Sequence, residues 1–144
     1  MVDVDRNGLE VLSEQECWLL LEAAHIGRLA VSIGDRPEIF PVNYVVAGDD
    51  AAGRVIVFLT APGSKLAGAV LGRSVAFEID AADPLFHTGW SVVLQGTAAE
   101  IEGLEELMDA EALPLRPWGP TPKHNYVRIS PTSVSGRRIL RRTA

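Results

Sequence analysis

Alternation between apolar and polar residues is the dominant pattern in this chain, and it predicts β-strands over most of its length. Residues 28–33 (Arg-Leu-Ala-Val-Ser-Ile) alternate strictly, as in a strand with one buried face. Further strands are predicted at 38–46, 54–60, 75–80, 90–101, 125–130 and 133–139. Because strands outnumber helices and do not alternate regularly with them, we predict a mainly β fold, a small closed barrel of mostly antiparallel strands.

Helical spacing is confined to short segments. The sequence Ser13-Glu-Gln-Glu16 is a capping box, and apolar residues recur behind it at helical intervals, so a helix is predicted at 14–24. Segment 113–122 contains four prolines and is predicted to be extended, whereas residues 1–11 show no periodicity and are predicted to be flexible. Two further short helices are predicted at 64–71 and 102–110.

Composition and charge narrow the class of protein. With 144 residues, 47% hydrophobic and 22% charged, the chain is expected to form one globular domain over residues 1–144. Its formal net charge of -6 disfavours nucleic acid as a partner, and the basic cluster from Arg137 to Arg142 is interpreted as a solvated tail. No signal peptide is recognisable and no apolar run reaches the ~20 residues that span a bilayer, so we expect a cytoplasmic protein without membrane contact.

The most informative segment is the corner Val55-Ile-Val-Phe-Leu-Thr-Ala-Pro-Gly-Ser-Lys-Leu66. An apolar strand enters a Pro-Gly turn that delivers Ser64 and Lys65 to the start of a short helix, where unpaired N–H groups favour an anion. Thr60 adds a hydroxyl, so we interpret the corner as a phosphate site, although it is not a Walker loop. The alternative is an ordinary helix start, capped by Ser64 and followed by a solvated lysine.

Two other segments suit a planar ligand. Pro41 removes a ladder donor from predicted strand 38–46, so this strand is predicted to lie at an edge or to carry a bulge, with Pro41-Val-Asn-Tyr44 offering backbone groups to a heteroaromatic ring. Trp90 and Ser91 begin another strand, and an indole beside a hydroxyl suits the same ligand. An ordinary edge strand and a half-buried structural tryptophan are the respective alternatives.

No metal site or catalytic residue is identified. His25, His87 and His124 are widely separated, and neither H-E-x-x-H nor paired cysteines occur, so no metal is predicted. The G-x-S-x-G and G-x-G-x-x-G motifs are absent as well. Glu78 and Asp80 share one face of a predicted strand, where a solvated acidic surface is favoured over acid–base chemistry.

Taken together, these segments resemble the pyridoxamine 5'-phosphate oxidase-like family of flavin-binding split barrels, and within it the compact bacterial, nitroimidazole-resistance-type members. The similarity covers about residues 12–101, with its pieces in order and at family-like spacing. The matching pieces are Gly27-Arg-Leu-Ala30, Pro41-Val-Asn-Tyr44, Phe58-Leu-Thr-Ala-Pro-Gly-Ser-Lys-Leu66, Val75-Ala-Phe-Glu-Ile-Asp80 and Gly89-Trp-Ser-Val-Val92.

The resemblance implies a six-stranded antiparallel split β-barrel that forms a homodimer, with flavin mononucleotide (FMN) at the subunit interface. Thr60, Ser64 and Lys65 would then hold the FMN phosphate. The partner subunit would add residues from its C-terminal half, with Trp118 and Arg137 as candidates. The isoalloxazine ring would be lined by Pro41, Val42, Asn43 and Tyr44 on one side and by Trp90 and Ser91 on the other.

The function implied by the resemblance is a flavin-dependent oxidoreductase that acts on a small molecule. Pyridoxine phosphate oxidation is not implied, because the family's C-terminal arginine/histidine signature has no match after residue 125. A flavin carrier or sensor without turnover is one alternative. A deazaflavin-dependent reductase is another, which the acidic composition disfavours because that cofactor has an acidic tail. Haem also occurs in the family, and the fold does not decide among these cofactors.

Overall fold

The structure is a computed structural model that describes residues 2–116, 118–119 and 125–140. This part of the chain contains seven strands and three helices. The strands are β1 (Glu10–Val11), β2 (Ile26–Ile33), β3 (Arg36–Ala47), β4 (Val55–Thr60), β5 (Ser74–Asp83), β6 (Thr88–Glu100) and β7 (Asn125–Ile139). The helices are α1 (Glu14–Ala23), α2 (Lys65–Val70) and α3 (Leu104–Glu111). All three helices confirm predicted ones to within two residues. The extended segment predicted at 113–122 lies outside the described residues at 117 and 120–122.

Six of the strands form a closed antiparallel ring. The sheet order is β7-β4-β3-β2-β5-β6, and β6 pairs again with β7, which closes the ring into a barrel. The short strand β1 lies outside the ring and pairs with the end of β7. This arrangement confirms the predicted mainly β, six-stranded antiparallel barrel, with one additional short strand.

The last strand corrects the prediction of two separate strands at 125–130 and 133–139. β7 runs without interruption through Pro131, and its next residue, Thr132, is the extra residue of a bulge opposite Gln95 and Gly96 of β6. Gly96 is required at this bulge, since a Cβ there would lie 2.2 Å from the carbonyl oxygen of Ser130. The irregularity that the sequence shows at Pro131 is therefore a bulge in the pairing and not a chain break.

The N-terminal segment also differs from its prediction. Residues 1–11 were expected to be flexible, but Glu10 and Val11 pair with Arg138 and Arg137 of β7. Arg137 Nε lies 3.0 Å from Asp5 Oδ2, and Arg138 Nη1 lies 3.2 Å from Glu10 Oε2. The interpretation of these two arginines as part of a solvated tail is wrong, because they belong to a strand and pair with acidic side chains more than a hundred positions away.

Pro41 of β3 is registered opposite a residue of β2 but not opposite a residue of β4. Pro41 is opposite Arg28 of β2, whereas the registered pairing of β3 with β4 begins only at Tyr44. The prediction that this strand lies at a sheet edge is wrong, because β3 lies between β2 and β4 in the ring. Within the described residues, Pro41 instead lies in the part of β3 where no β4 residue is registered opposite it, so its missing N–H costs no ladder bond to β4.

The barrel core is filled by alternating side chains from the ring strands and is closed at its two ends by helices. Tyr44 and Phe77 pack edge to face with ring centroids 4.8 Å apart, and Gly27 leaves the space that the Phe77 ring needs, since a Cβ there would lie 2.1 Å from it. Helix α1 packs on β7 and β3, and α2 contributes Ala69 and Val70 to the core. A second apolar cluster between β4 and α3 covers the outside of the barrel at β4.

Candidate functional site

The corner between β4 and α2 is built by a tight turn. Thr60 ends β4, and the Ser64 N–H donates to the Ala61 carbonyl over 3.1 Å. Ser64 is the N-cap of α2, where its hydroxyl oxygen accepts the Ala67 N–H over 3.1 Å. The first turn of α2 contains no acidic residue, so no side chain of the helix neutralises its positive end.

The hydroxyl of Thr60 is an unsatisfied buried group. Thr60 is 1% exposed, and its Oγ1 has no hydrogen-bond partner among the described residues. Leaving a buried hydroxyl unpaired costs about 1–3 kcal/mol, and buried polar atoms in native proteins almost always have a partner. A polar ligand in the corner would supply that partner.

Lys65 lies beside an acid that the sequence analysis missed. Its Nζ is 3.0 Å from Oε1 of Glu38 in β3, and the lysine side chain is 66% exposed. Exposed ion pairs of this kind contribute only about 0–1 kcal/mol, so an incoming phosphate can compete with Glu38 for the ammonium group. The structure therefore brings Thr60, Ser64 and Lys65 together, and adds Glu38.

The stretch Pro41–Tyr44 is divided between two faces of β3. Val42 and Tyr44 are buried in the barrel core, and the Tyr44 hydroxyl donates to the Leu21 carbonyl over 2.6 Å. Burial raises the pKa of Tyr44 above its usual range. Pro41 and Asn43 alternate with these buried residues and face away from the core. Only the backbone of Val42 and Tyr44 is placed to meet a ligand outside the barrel.

Asn43 is tied to the segment that follows α3. Its Oδ1 accepts the backbone N–H of Trp118 over 2.9 Å, and its Nδ2 donates to the His25 carbonyl over 3.5 Å. Trp118 is 71% exposed. The two residues considered as contributions from a partner subunit, Trp118 and Arg137, thus both contact their own chain, Arg137 through Asp5.

Trp90 and Ser91 point in opposite directions, because they are successive residues of β6. Trp90 packs against the barrel core, whereas Ser91 alternates with buried Val92 and faces outward. Ser91 is opposite Asp80 of β5 and Arg137 of β7. The two side chains point to opposite faces of β6, yet both residues border one small pocket beside Asp80 and Arg137.

A charged cluster lies between Pro41 and Ser91 on the outer face, which we define as the side of β3, β2, β5 and β6 that points away from the core. Pro41 is opposite Arg28, and Arg28 is opposite Glu78. Arg28 Nη2 lies 2.6 Å from Asp80 Oδ1, and its Nε lies 3.8 Å from Glu78 Oε1. The sequence analysis noted the two carboxylates but missed Arg28, whose outward position in the alternation of 28–33 was the available signal.

The surroundings of Glu78 perturb its ionisation. Burial raises the pKa of the Glu78 carboxyl above its usual value, the neighbouring Asp80 raises it further, and the Arg28 guanidinium opposes both effects. The Arg28 guanidinium offsets one of the two carboxylates, so the cluster presents a polar surface that keeps a small negative charge.

Comparison with known proteins decides the family. The family model described as pyridoxamine 5'-phosphate oxidase matches residues 13–138. The chain belongs to the pyridoxamine 5'-phosphate oxidase-like family. An uncharacterized protein of Mycobacterium tuberculosis is 33% identical over 129 residues, which cover 90% of this chain and 84% of that protein.

Solved structures of similar proteins share the split barrel of the family. The FAD binding protein from Mycobacterium smegmatis is 36% identical, with a TM-score of 0.78 over 90% of this chain and 99% of that one. A conserved protein of unknown function from Corynebacterium diphtheriae is also 36% identical, with a TM-score of 0.77 over 92% and 98% of the two chains.

None of the three helices in the described residues has the length and apolar character that a membrane span requires. The same residues contain no group of three or more histidine, cysteine or acidic side chains with a geometry that could hold a metal ion.

Proposed function

We propose that this protein is a flavin-dependent oxidoreductase that holds the phosphate of its cofactor in the corner between β4 and α2. The observation that carries the proposal is the buried hydroxyl of Thr60, which lacks a partner beside the capped, acid-free start of α2. The family and the FAD-binding relative support it. A flavin supplies transfer of a hydride or of single electrons when it is bound.

Each residue of the corner has a distinct task toward a phosphate. Thr60 donates its hydroxyl hydrogen, which gives Oγ1 the partner it lacks. Ser64 already accepts from Ala67, so its hydroxyl hydrogen is the part that is available to the ligand. Lys65 leaves Glu38 and pairs with the phosphate, a charge-assisted contact worth roughly 1.5–3 kcal/mol.

The flavin ring is proposed to lie on the outer face between Pro41 and Ser91. The backbone of Val42, Asn43 and Tyr44 borders this region. Trp90 faces the core and would act indirectly, by fixing the start of β6 under Ser91. FMN is the cofactor that the resemblance implies, and the FAD-binding relative supports FAD as well, since the same phosphate adjoins the ring-bearing half of both.

A second copy of the chain is proposed to cover the ring. Ile39, two residues before Pro41 on the outer face, is 67% exposed, and Val93 of β6 is also exposed. Exposed apolar side chains on one sheet face favour association with another protein surface. Sedimentation of wild type and Ile39→Asp tests this homodimer: we expect a dimer that the substitution dissociates, and a monomeric wild type would contradict the proposal.

The proposed function is tested by cofactor binding to the purified protein. We expect bound flavin to give oxidised-flavin absorption bands, and Lys65→Ala to weaken FMN about ten- to hundredfold while riboflavin, which has no phosphate, is unaffected. Arg36→Ala is the matched control, because it removes one positive charge from exposed β3 without touching the corner. Equal losses for FMN and riboflavin would contradict the phosphate assignment.

Turnover separates an enzyme from a carrier or sensor. We expect steady oxidation of a nicotinamide donor in the presence of a nitro or quinone acceptor. Tight flavin binding without turnover over a broad panel of donors and acceptors would favour the carrier or sensor, and binding of deazaflavin in preference to FMN would favour the deazaflavin reductase.

A further inference from the structure

A groove of about 740 Å³ opens where β2 and β5 separate. These two strands pair only from Arg28 to Ala30 on β2, so beyond Ala30 they diverge and leave a gap that β6 and the middle of β7 border. The groove has the volume typical of small-molecule sites. Its polar side chains other than one arginine are all neutral, namely Ser32, Ser74, Gln95, Thr97 and Thr132.

Arg73 is the one charged residue that lines this groove. It makes no ion pair with any side chain in the described part of the chain. Its backbone is fixed on both sides, because its N–H donates to the Val70 carbonyl over 3.1 Å and its carbonyl accepts the Ala98 N–H over 3.0 Å. The structure thus places the backbone of Arg73 at a defined position on the groove, and its guanidinium has no ion-pair partner among the described residues.

The remaining lining is apolar and comes from three strands. Ala30 and Val31 of β2, Pro37 of β3 and Ala76 of β5 present small or flat surfaces. The single cation of the groove can pair with one phosphate group, and its hydroxyl and amide groups can form hydrogen bonds with a sugar. The apolar wall can pack against the face of a base. A polyanion such as nucleic acid is disfavoured, since the chain has a net charge of -6.

We propose that this groove binds a nucleoside phosphate, with Arg73 pairing with the phosphate. The ligand has two possible sources, a free nucleotide or the adenylate half of FAD, and the second rests on the function proposed above. Proximity supports the second source. The groove residue Pro37 is next to Glu38, which is the ion-pair partner of Lys65. In addition, only the six-residue helix α2, roughly 9 Å long, lies between Lys65 and the turn that carries Arg73.

The free-nucleotide source is tested by titrating the full chain with AMP, adenosine and inorganic phosphate. We expect AMP to bind more tightly than either fragment, and Arg73→Gln to weaken AMP about ten- to hundredfold. Arg36→Gln is the matched control, since Arg36 lies in the neighbouring hairpin but does not line the groove. Ala30→Leu, which fills the apolar wall at an exposed position, should weaken AMP without removing a charge.

The FAD source is tested by the ratio of FAD to FMN affinity. If the adenylate half lies in the groove, Arg73→Gln and Ala30→Leu lower FAD affinity about tenfold or more and leave FMN affinity unchanged. The proposal is supported if Arg73→Gln weakens AMP binding, which identifies a free nucleotide as the source. It is also supported if Arg73→Gln lowers the preference for FAD over FMN, which identifies the adenylate half of FAD.

Two results overturn the inference. One is an AMP affinity weaker than about 10 mM together with an FAD-to-FMN ratio that is the same in wild type and Arg73→Gln, as expected if a second copy of the chain fills the groove. The other is an equal effect of Arg73→Gln and Arg36→Gln. Failure of every flavin to bind would contradict the proposed function alone, because the AMP titration does not depend on it.

Discussion

The two helices that close the barrel both begin with a serine cap, yet their surroundings differ. Ser13 accepts the Glu16 N–H at the start of α1, and Glu14 and Glu16 provide negative charge in that first turn. Ser64 caps α2 in the same way, but no acid follows it and Lys65 stands in the first position. The positive end of α1 is neutralised by its own residues, whereas that of α2 is not.

The same contrast holds for the buried hydroxyls near the two helices. At the α1 end, the Tyr44 hydroxyl donates to Leu21, one of the last carbonyls of the helix, which have no partner within it. At the α2 end, Thr60 is as deeply buried but has no partner in the described structure. The α1 end is completed internally, whereas the α2 end needs an external group.

The largest expected effect is at the α1 end. Gly136→Val should lower the free energy of unfolding by about 3 kcal/mol, because a Cβ at Gly136 would lie 2.8 Å from Cys17 Sγ and 2.9 Å from Leu12 Cδ1. Urea denaturation measures the loss. Gly119→Val is the control, since nothing lies within 4 Å of the missing Cβ there.

Removing the hydroxyl at the α1 end should also cost stability and nothing else. Tyr44→Phe leaves the buried Leu21 carbonyl without its partner, so we expect the free energy of unfolding to fall by about 1–2 kcal/mol. The measurement is urea denaturation beside FMN titration. A change in FMN affinity would show that the two ends are coupled.

Removing the hydroxyl at the α2 end should have the opposite sign. Thr60→Val deletes an unpaired buried group at similar volume, so the cofactor-free protein should gain about 1 kcal/mol of unfolding free energy while its FMN affinity falls about fivefold. Thr60→Ser, which keeps the hydroxyl, should retain most of the FMN affinity. A loss of stability in Thr60→Val would mean that Oγ1 already has a partner.

The smallest expected effect is a gain in affinity. Glu38→Gln releases Lys65 from its ion pair and removes a negative charge that competes with the phosphate, so FMN should bind about threefold more tightly. Titration at low and high salt checks this, because the gain should shrink when charges are screened. Weaker FMN binding would indicate that Glu38 positions Lys65 for the ligand.

The sequence was sufficient for features that depend on local pattern. Strict alternation located β2, the capping box located α1, and the Pro-Gly turn before Ser64 located the corner. Pro41 indicated a stretch of β3 without a registered partner in β4, although not the predicted sheet edge. Each of these signals lies within a few consecutive residues, so it can be recognised in the sequence before the fold is known.

Features that depend on distant partners could not be predicted. The salt bridge between Arg28 and Asp80 joins residues 52 positions apart. Strand β1 is too short to show a period, and it pairs with β7 at the far end of the chain. The direction of each side chain also depends on the strand: Trp90 and Ser91 border one pocket, although as adjacent residues of β6 they face opposite sides.

The strand that closes the ring has a consequence for synthesis. β7 is the last ring strand along the chain, and it alone pairs with both β4 and β6. Until it emerges from the ribosome, those two strands present unpaired backbone edges that can pair with other nascent chains. Expression of this protein should therefore be sensitive to translation pauses just before residue 125, which would prolong exposure of an open, aggregation-prone sheet.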